Sequence, residues 1–242
     1  MITLIGTGHV FDLRNQILEI LDRKQPDLIC VELDEKRYAA LMQRKNGNVK
    51  ATANKNASTL YRLLGKFQES MAKQYGVQAG DEMLTGIQFA HDHQRPIAFI
   101  DVAADQMFAR MLREMSFTEK LRLFISSFGS MFVSKQKVDE EINKIETNLE
   151  SYLAQVGDKF PTIKRVLLDE RNQHMANQIR KAHDDYEEIV AIVGDGHIPG
   201  LKHLLENHDQ PVETIRLKEL REKKPKPEET STASFSVEYS GF

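Results

Sequence analysis

The sequence lacks tryptophan and has a single cysteine, Cys30, among its 242 residues. One thiol cannot form a disulfide within the chain, so the fold must depend on a buried core rather than on a crosslink. Cys30 lies in an apolar run, residues 28–31, and a lone buried thiol is typical of a reducing compartment. The cysteine usage therefore predicts a cytoplasmic protein.

The chain also lacks a strong positive charge and a long apolar run. Its net charge is −3 and its pI is about 6.3, with no basic stripe, which argues against nucleic acid as a partner. The most apolar longer segment, residues 121–133, is interrupted by Arg122 and is shorter than the roughly 20 residues that span a bilayer. The first residues carry no basic or apolar signal region. We therefore expect no transmembrane segment and no secretory leader.

Short apolar runs alternate with helical patterns along the chain. The runs predict strands near residues 2–6, 28–32, 97–101, 189–194 and 212–217. This alternation predicts an α/β fold, a single domain with a mostly parallel central sheet flanked by helices. The domain should cover residues 1–220, and residues 221–242, with Lys-Pro-Lys-Pro and Glu-Glu-Thr-Ser-Thr, should form a polar C-terminal tail.

Residues 103–160 carry helical patterns between the third and fourth strands and are predicted to form a helical insertion or lid. A stripe of methionine and phenylalanine side chains begins here at Met107 and runs through Phe132. Such a stripe is usually part of a core. The alternatives are that it covers a binding site or forms the contact surface of a homodimer.

The most informative motif is Val193-Gly-Asp-Gly-His197, which follows a buried apolar run and precedes Pro199. The two glycines permit a sharp turn, and Pro199 is suited to begin a helix. Ligands bind at such turns in open α/β sheets, just beyond the carboxyl ends of the strands. His197 could act there as a base or as a metal ligand.

The first residues repeat this motif as Gly6-Thr-Gly-His9 after another short apolar run. A parallel sheet could place the two turns side by side, with His9 and His197 at one edge. Each turn alone is more simply explained as an ordinary connection whose histidine caps a helix. The matched pair favours a functional site.

Acidic residues end two other predicted strands. Glu32 and Asp101 each follow an apolar run, Arg37 lies on the helix after Glu32, and Glu82 lies in the first turn of a later helix. A carboxylate at a helix N-terminus is favoured by the helix dipole without any function. A carboxylate on a buried strand, however, needs a partner, and Arg37 or a metal ion could be that partner.

A dense polar cluster, Asp169-Glu-Arg-Asn172, interrupts the apolar face of a long helix predicted over residues 160–183. Its simplest interpretation is a solvated helix face. The apolar residues on both sides of the cluster indicate that part of it turns inward.

Together these motifs resemble the TraB family, which belongs to a wider group with the pheromone-shutdown proteins, GumN and the Tiki proteins. The resemblance covers residues 1–217. It rests on five motifs in order: Gly6-Thr-Gly-His9, Val31-Glu-Leu-Asp34 with Arg37, Gly80-Asp-Glu-Met83, Asp169-Glu-Arg-Asn172 with Met175-Ala176, and Val193 to Gly200. Val102 departs from the pattern, because many TraB-like sequences have arginine after the acid of the third strand.

The resemblance implies a Tiki-like α/β fold with His9, Glu32 and His197 at the active site. Because the Tiki branch is described as metal-dependent proteases, it also implies a metal-dependent hydrolase that acts on peptides. The expected cofactor is a divalent metal ion, with Mn, Co and Zn all compatible. In such a hydrolase the metal ion would lower the pKa of a bound water molecule and polarise the carbonyl group of the substrate.

For this hydrolase we predict His9 and His197 as metal ligands, with Glu82 or Asp101 completing the coordination. Glu32 would be a ligand or the general base, and Arg171, or Arg37 as second choice, would stabilise the oxyanion. Glu170 would orient its neighbours. Two alternatives stay open: a metal-free hydrolase of esters or amides that uses His and Glu, and a non-catalytic protein that sequesters a peptide or small ligand.

Overall fold

The predicted strands pair into one sheet in the computed structural model, which describes residues 1–8, 11–45, 80–122, 154–155, 157–206 and 211–222. The strands are β1 (Ile2–Thr7), β2 (Leu28–Val31), β3 (Ile97–Phe99), β4 (Ile189–Gly194) and β5 (Val212–Ile215). Their order across the sheet is β3-β2-β4-β1-β5, and every pairing is parallel. The prediction of an α/β fold with a parallel central sheet is confirmed.

Helices connect the strands, as parallel pairing requires. The helices with both ends in the described residues include α1 (Arg14–Lys24), α2 (Glu35–Lys45), α3 (Asp81–Asp92), α4 (Ala104–Glu114), α5 (Pro161–Lys164), α6 (Glu170–His183), α7 (Ile198–Glu206) and α8 (Leu217–Glu222). A π-helical segment, Arg165–Asp169, joins α5 to α6, so the long helix predicted over residues 160–183 is present with one widened turn. A short 3-10 turn, Asp195–His197, joins β4 to α7.

The sheet is covered on both faces, which explains why its central strands are apolar without alternation. Helices α1 and α3 pack on one face, and α6 and α7 pack on the other. Successive residues of β2 point to opposite layers: Ile29 and Val31 contact the first, and Leu28 and Cys30 contact the second. Burial raises the pKa of the Cys30 thiol to about 12, so this thiol stays protonated and unreactive.

Strand β4 lies at the centre of the sheet, and all six of its residues are buried. It pairs with β1 in a register that sets Gly6 opposite Val193 and Thr7 opposite Gly194. The two Gly-x-Gly-His motifs therefore begin side by side at the carboxyl edge, as predicted. His9 itself lies outside the described residues.

Beyond β3, a smaller apolar cluster joins α4 to the π-helical segment. It contains Met107, Phe108, Met111, Met115 and Val166. The methionine stripe is thus core where the structure describes it. The phenylalanine part of the stripe, at residues 124, 128 and 132, lies outside the described residues, so the insertion or lid over residues 103–160 stays a prediction.

The C-terminal end of the described domain differs from the prediction. Strand β5 stops at Ile215 rather than at residue 217, because Leu217 begins α8 and buries its side chain together with Leu220. Helix α8 continues to Glu222, two residues beyond the predicted domain boundary, and the rest of the tail lies outside the described residues. No helix in the described part of the chain is long and apolar enough to cross a membrane.

A buried carboxylate, Glu119, ties the chain after α4 to the start of α5. Glu119 and Ser116 cap the start of a further helical segment, residues 117–122, reciprocally. The Ser116 backbone N–H donates to Glu119 Oε2 at 2.9 Å, and the Glu119 backbone N–H donates to the Ser116 hydroxyl at 3.2 Å. Glu119 also accepts the backbone N–H of Thr162 at 2.8 Å and the Thr162 hydroxyl at 3.0 Å. Burial alone would raise the pKa of Glu119, but these hydrogen bonds outweigh burial, and the pKa is lowered.

We predict that Glu119→Gln destabilises the protein by roughly 1.5–3 kcal/mol near neutral pH, because hydrogen bonds to a charged group are lost. The folded-state pKa is lowered, so this stabilisation is complete above the ordinary glutamate pKa of about 4.3 and is lost as pH falls through the lower folded value. Urea unfolding of wild type and variant near neutral pH and in acid measures the difference. Glu19→Gln, an exposed change on α1, is the control; a Glu119→Gln deficit that persists undiminished in strong acid would contradict the assignment.

Candidate functional site

The carboxyl edge of the sheet gathers polar residues from four neighbouring strands. Glu32 follows β2 directly and Asp101 lies two residues after β3. His197 ends the turn after β4, and Thr7 ends β1. All four are buried, and the carboxyl edge is where parallel α/β sheets bind ligands.

Arg171, on the first turn of α6, enters this edge and uses all of its hydrogen-bond donors there. Its Nε and Nη2 atoms donate to the two oxygens of Asp101, each at 2.9 Å, and Nη2 also donates to Glu32 Oε1. Its Nη1 atom lies 2.9 Å from His197 Nε2 and donates to the Leu167 carbonyl at 3.2 Å. A guanidinium group has five N–H bonds, and these contacts occupy all five.

Burial and charge act in opposite directions on Arg171. Its side chain is only 12% exposed, and burial alone would lower its pKa. The charges of Glu32 and Asp101 and their hydrogen bonds outweigh burial, so the pKa is raised above its ordinary value. The guanidinium is therefore a permanent positive charge at the centre of the site.

Glu32 connects the guanidinium to the turn after β4. Its second oxygen, Oε2, accepts the backbone N–H of Gly194 at 2.6 Å. Its own backbone N–H donates to the Ile192 carbonyl at 3.1 Å, which continues the β2–β4 ladder. Backbone and side chain thus hold Glu32 against β4 from two sides, and its orientation is set by the sheet itself.

His197 is held through both ring nitrogens. Arginine can only donate, so Nε2, facing Arg171, acts as an acceptor and carries no proton. Nδ1 then carries the proton and donates to Asn172 Oδ1 at 2.7 Å. His197 Nε2 also lies 3.4 Å from Glu32 Oε1. The hydrogen bonds thus define a neutral imidazole whose Nε2 lone pair accepts from Arg171 at a position beside the Glu32 carboxylate.

Arg37 and Glu82 lie on either side of this centre. Arg37, near the start of α2, donates Nη1 to Asp101 Oδ2 at 3.1 Å, and its side chain is 35% exposed. Within the described residues its Nε and Nη2 atoms have no hydrogen-bond acceptor. Glu82, on the first turn of α3, is buried, and its Oε1 lies 3.5 Å from the Thr7 hydroxyl.

Of the predicted site residues, the structure brings together five in direct contact: Glu32, Arg37, Asp101, Arg171 and His197. Glu82 reaches the same edge through Thr7 on β1.

Glu170 points elsewhere, because its carboxylate pairs with Arg110 and with Arg165, the latter at 2.6 Å. Its predicted role in orienting site neighbours therefore has no contact among the described residues to support it. His9 lies outside them.

Two residues of the motifs have roles that the sequence did not indicate. Asn172 holds His197, as described above. Asp195, in the same turn as His197, faces away from the site and binds Arg216 through two hydrogen bonds of 2.9 and 2.8 Å. Asp195 also accepts the Leu217 backbone N–H at 2.9 Å, which fixes the start of α8. Gly6 makes room for it, since a Cβ there would lie 2.2 Å from Asp195 Oδ1.

The described residues do not fit a metal ion between Glu32, Asp101 and His197. The Arg171 guanidinium occupies that position and uses their acceptor atoms, and a divalent ion would meet its fixed positive charge. Among the described residues no group of three or more His, Cys, Asp or Glu side chains is arranged to hold a metal. The predicted ligand set that includes His9 stays a prediction.

The fold and the buried charge cluster place the chain in a structural class, the α/β domains with polar side chains gathered at the carboxyl edge of a parallel sheet. Sequence comparison then gives the family. The model of the TraB/PrgY/gumN family matches residues 1–214, and the chain belongs to this family. The resemblance identified from the five motifs is therefore confirmed.

Two relatives illustrate the range of the family. The chain is 30% identical to the uncharacterized protein MJ1365 of Methanocaldococcus jannaschii over 210 residues, 84% of this chain and 53% of that protein. It is 24% identical to a TraB domain-containing protein of Homo sapiens over 239 residues, 82% of this chain and 61% of that protein. The chain therefore matches between about half and three fifths of the length of these relatives.

We predict that Arg171→Leu destabilises the protein by about 3–5 kcal/mol, because it leaves the buried Glu32 and Asp101 carboxylates without their cation. Arg113→Leu, which removes an exposed arginine from α4, is the matched control and should change stability by less than about 0.5 kcal/mol. Chemical denaturation of the three proteins measures the difference. Equal stabilities of the two variants would show that Arg171 does not carry the charge balance of the site.

Proposed function

We propose that this protein is a hydrolase that cleaves an amide or ester bond at the carboxyl edge of the sheet. The observation that carries the proposal is the pair of acceptors formed by His197 Nε2 and Glu32 Oε1, which lie 3.4 Å apart. A neutral imidazole beside an ionised carboxylate is a pair suited to take a proton from a water molecule.

In this proposal His197 is the general base and Glu32 its stabilising neighbour. The Nε2 lone pair takes a proton from the attacking water, and the resulting Nε2–H faces the Glu32 carboxylate, which offsets the new positive charge. The water must first replace the hydrogen bond from Arg171 Nη1. Arg171 stays in place meanwhile, because its bonds to Asp101, Glu32 and Leu167 do not involve His197.

Arg37 is the group that stabilises the oxyanion in this proposal, and this reverses the order of preference inferred from the sequence. All five N–H bonds of Arg171 are already donated within the protein. Arg37 is partly exposed and donates only Nη1 to Asp101 among the described residues. Its Nε and Nη2 can therefore reach a charge that develops on a substrate oxygen.

None of these steps requires a metal. The metal-dependent form of the hydrolase, predicted from the resemblance to the Tiki proteins, would use His9 and His197 as ligands, with Glu82 or Asp101. Of the two carboxylates, Glu82 lies away from the Arg171 position, beside Thr7. The same resemblance supports a peptide as the substrate class, and membership of the TraB/PrgY/gumN family is consistent with both forms.

One observation favours the non-catalytic alternative, in which the site sequesters a peptide or small ligand. All five N–H bonds of Arg171 are donated to groups of the protein itself, so the guanidinium has no donor left for a substrate. A closed network of this kind can serve to shape a binding surface rather than to carry out a reaction. Turnover separates the two proposals.

We predict that His197→Gln and Glu32→Gln each lower kcat by about 10²–10⁴-fold on a substrate found in a screen of a peptide library and activated esters. His91→Gln, at an 83% exposed side chain on α3, and Glu19→Gln, at an exposed site on α1, are the matched controls and should keep full activity. The measurement is steady-state hydrolysis with a chelator and with added Mn²⁺ in parallel.

Activity that survives His197→Gln would rule out its role as the base. Tight peptide binding by the wild type without turnover, in both metal conditions, would support sequestration instead. Activity that appears only with Mn²⁺ would support the metal-dependent form.

A further inference from the structure

We infer that Asn172 is a positioning residue that sets the tautomer and the direction of the His197 ring. The significance of this residue for catalysis rests on the proposed hydrolase, whereas the tautomer can be measured without any activity. Asn172 follows Arg171 on α6, so two adjacent residues of one helix hold the two nitrogens of the same imidazole.

The direction of each hydrogen bond follows from donor chemistry. Arg171 can only donate, so His197 Nε2 accepts and the ring proton lies on Nδ1. The Nδ1–H needs an acceptor because His197 is only 6% exposed, and the Asn172 Oδ1 atom at 2.7 Å is that acceptor. A second donor in place of this oxygen would face the Nδ1–H, so the identity of residue 172 constrains the tautomer.

Close packing fixes the Asn172 amide from the other side. Asn172 is 4% exposed, and its side chain lies against Gly200 on α7. A Cβ at Gly200 would lie 2.2 Å from Asn172 Nδ2, so only glycine leaves the amide in its present place. Gly200, three residues after His197, thus leaves the space in which the Asn172 amide contacts the histidine ring.

The consequence is that Nε2, rather than Nδ1, carries the lone pair on the side of the ring that faces Arg171 and lies beside Glu32. A ring of the opposite tautomer would place its Nε2–H against the Arg171 N–H, and its lone pair would lie on Nδ1, facing Asn172 rather than the site. Asn172 therefore acts through His197 and not on the substrate. Its loss should reduce kcat by about 10–100-fold, as for other residues that orient a functional histidine, with little change in KM.

The test is ¹⁵N–¹H correlation spectroscopy of the histidine rings in uniformly labelled, intact protein at a pH where His197 is neutral, with the His197 signals assigned from His197→Gln. We expect a protonated Nδ1 and an unprotonated Nε2 in the wild type. A protonated Nε2 in the neutral wild-type ring would overturn the inference without the need for any variant.

Three variants and one control separate positioning from a merely structural role. In Asn172→Leu, which removes the acceptor, the buried Nδ1–H loses its partner while Arg171 still donates towards Nε2. Neither tautomer is then fully satisfied, so the wild-type nitrogen pattern should be averaged. Asn172→Asp keeps an acceptor at the same place and should restore the pattern. Gly200→Ala should disturb it by displacing Asn172, whereas Gly196→Ala should leave it unchanged, since a Cβ at Gly196 meets no atom within 4 Å.

An unchanged His197 pattern in folded Asn172→Leu, or equal disturbance by the Leu and Asp variants, would contradict a positioning role. If Asn172→Leu does not fold, the other two variants decide. A wild-type pattern in Asn172→Asp and a disturbed pattern in Gly200→Ala support positioning, and any other result contradicts it. The wild type could show a protonated Nδ1 and an unprotonated Nε2 and yet hydrolyse no substrate. That result would support the role of Asn172 and would contradict only the proposed hydrolase.

Discussion

The buried guanidinium group of Arg171 is the interaction on which the carboxyl edge of this protein depends. Two carboxylates, Glu32 and Asp101, lie at the ends of neighbouring parallel strands and are almost completely buried. Unpaired, each would carry a desolvation cost of several kcal/mol. The guanidinium of α6 contacts both and reaches His197 as well, so one side chain links the ends of β2 and β3 to the turn after β4.

The turn after β4 directs two of its side chains, those of Asp195 and His197, to different partners. Asp195 turns away from the site and fixes α8 through Arg216 and Leu217, while His197, two residues later, faces the buried carboxylates. Two glycines are required because a side chain in their place would clash. A Cβ at Gly6 would meet the Asp195 side chain, and a Cβ at Gly200 would meet the Asn172 side chain. The spacing of the motif therefore reflects two close approaches between elements that are distant in the sequence.

Much of this architecture was predictable because apolar runs and strand ends are local signals. Five runs located the five strands, and parallel pairing then required Glu32, Asp101 and His197 to share one edge. The orientation of side chains on α6 was not predictable in this way. Glu170, Arg171 and Asn172 are consecutive, and only the phase of the helix after its π-helical turn decides that Glu170 faces Arg110 while the next two face the site.

The central claim is that a guanidinium, rather than a metal ion, supplies the positive charge between Glu32, Asp101 and His197. Anomalous diffraction from crystals grown with Mn²⁺ tests it most directly. The account predicts density for the Arg171 side chain between the two carboxylates and no anomalous peak within bonding distance of Asp101 or His197 Nε2. An anomalous peak at that position, with Arg171 displaced from Asp101, would contradict it.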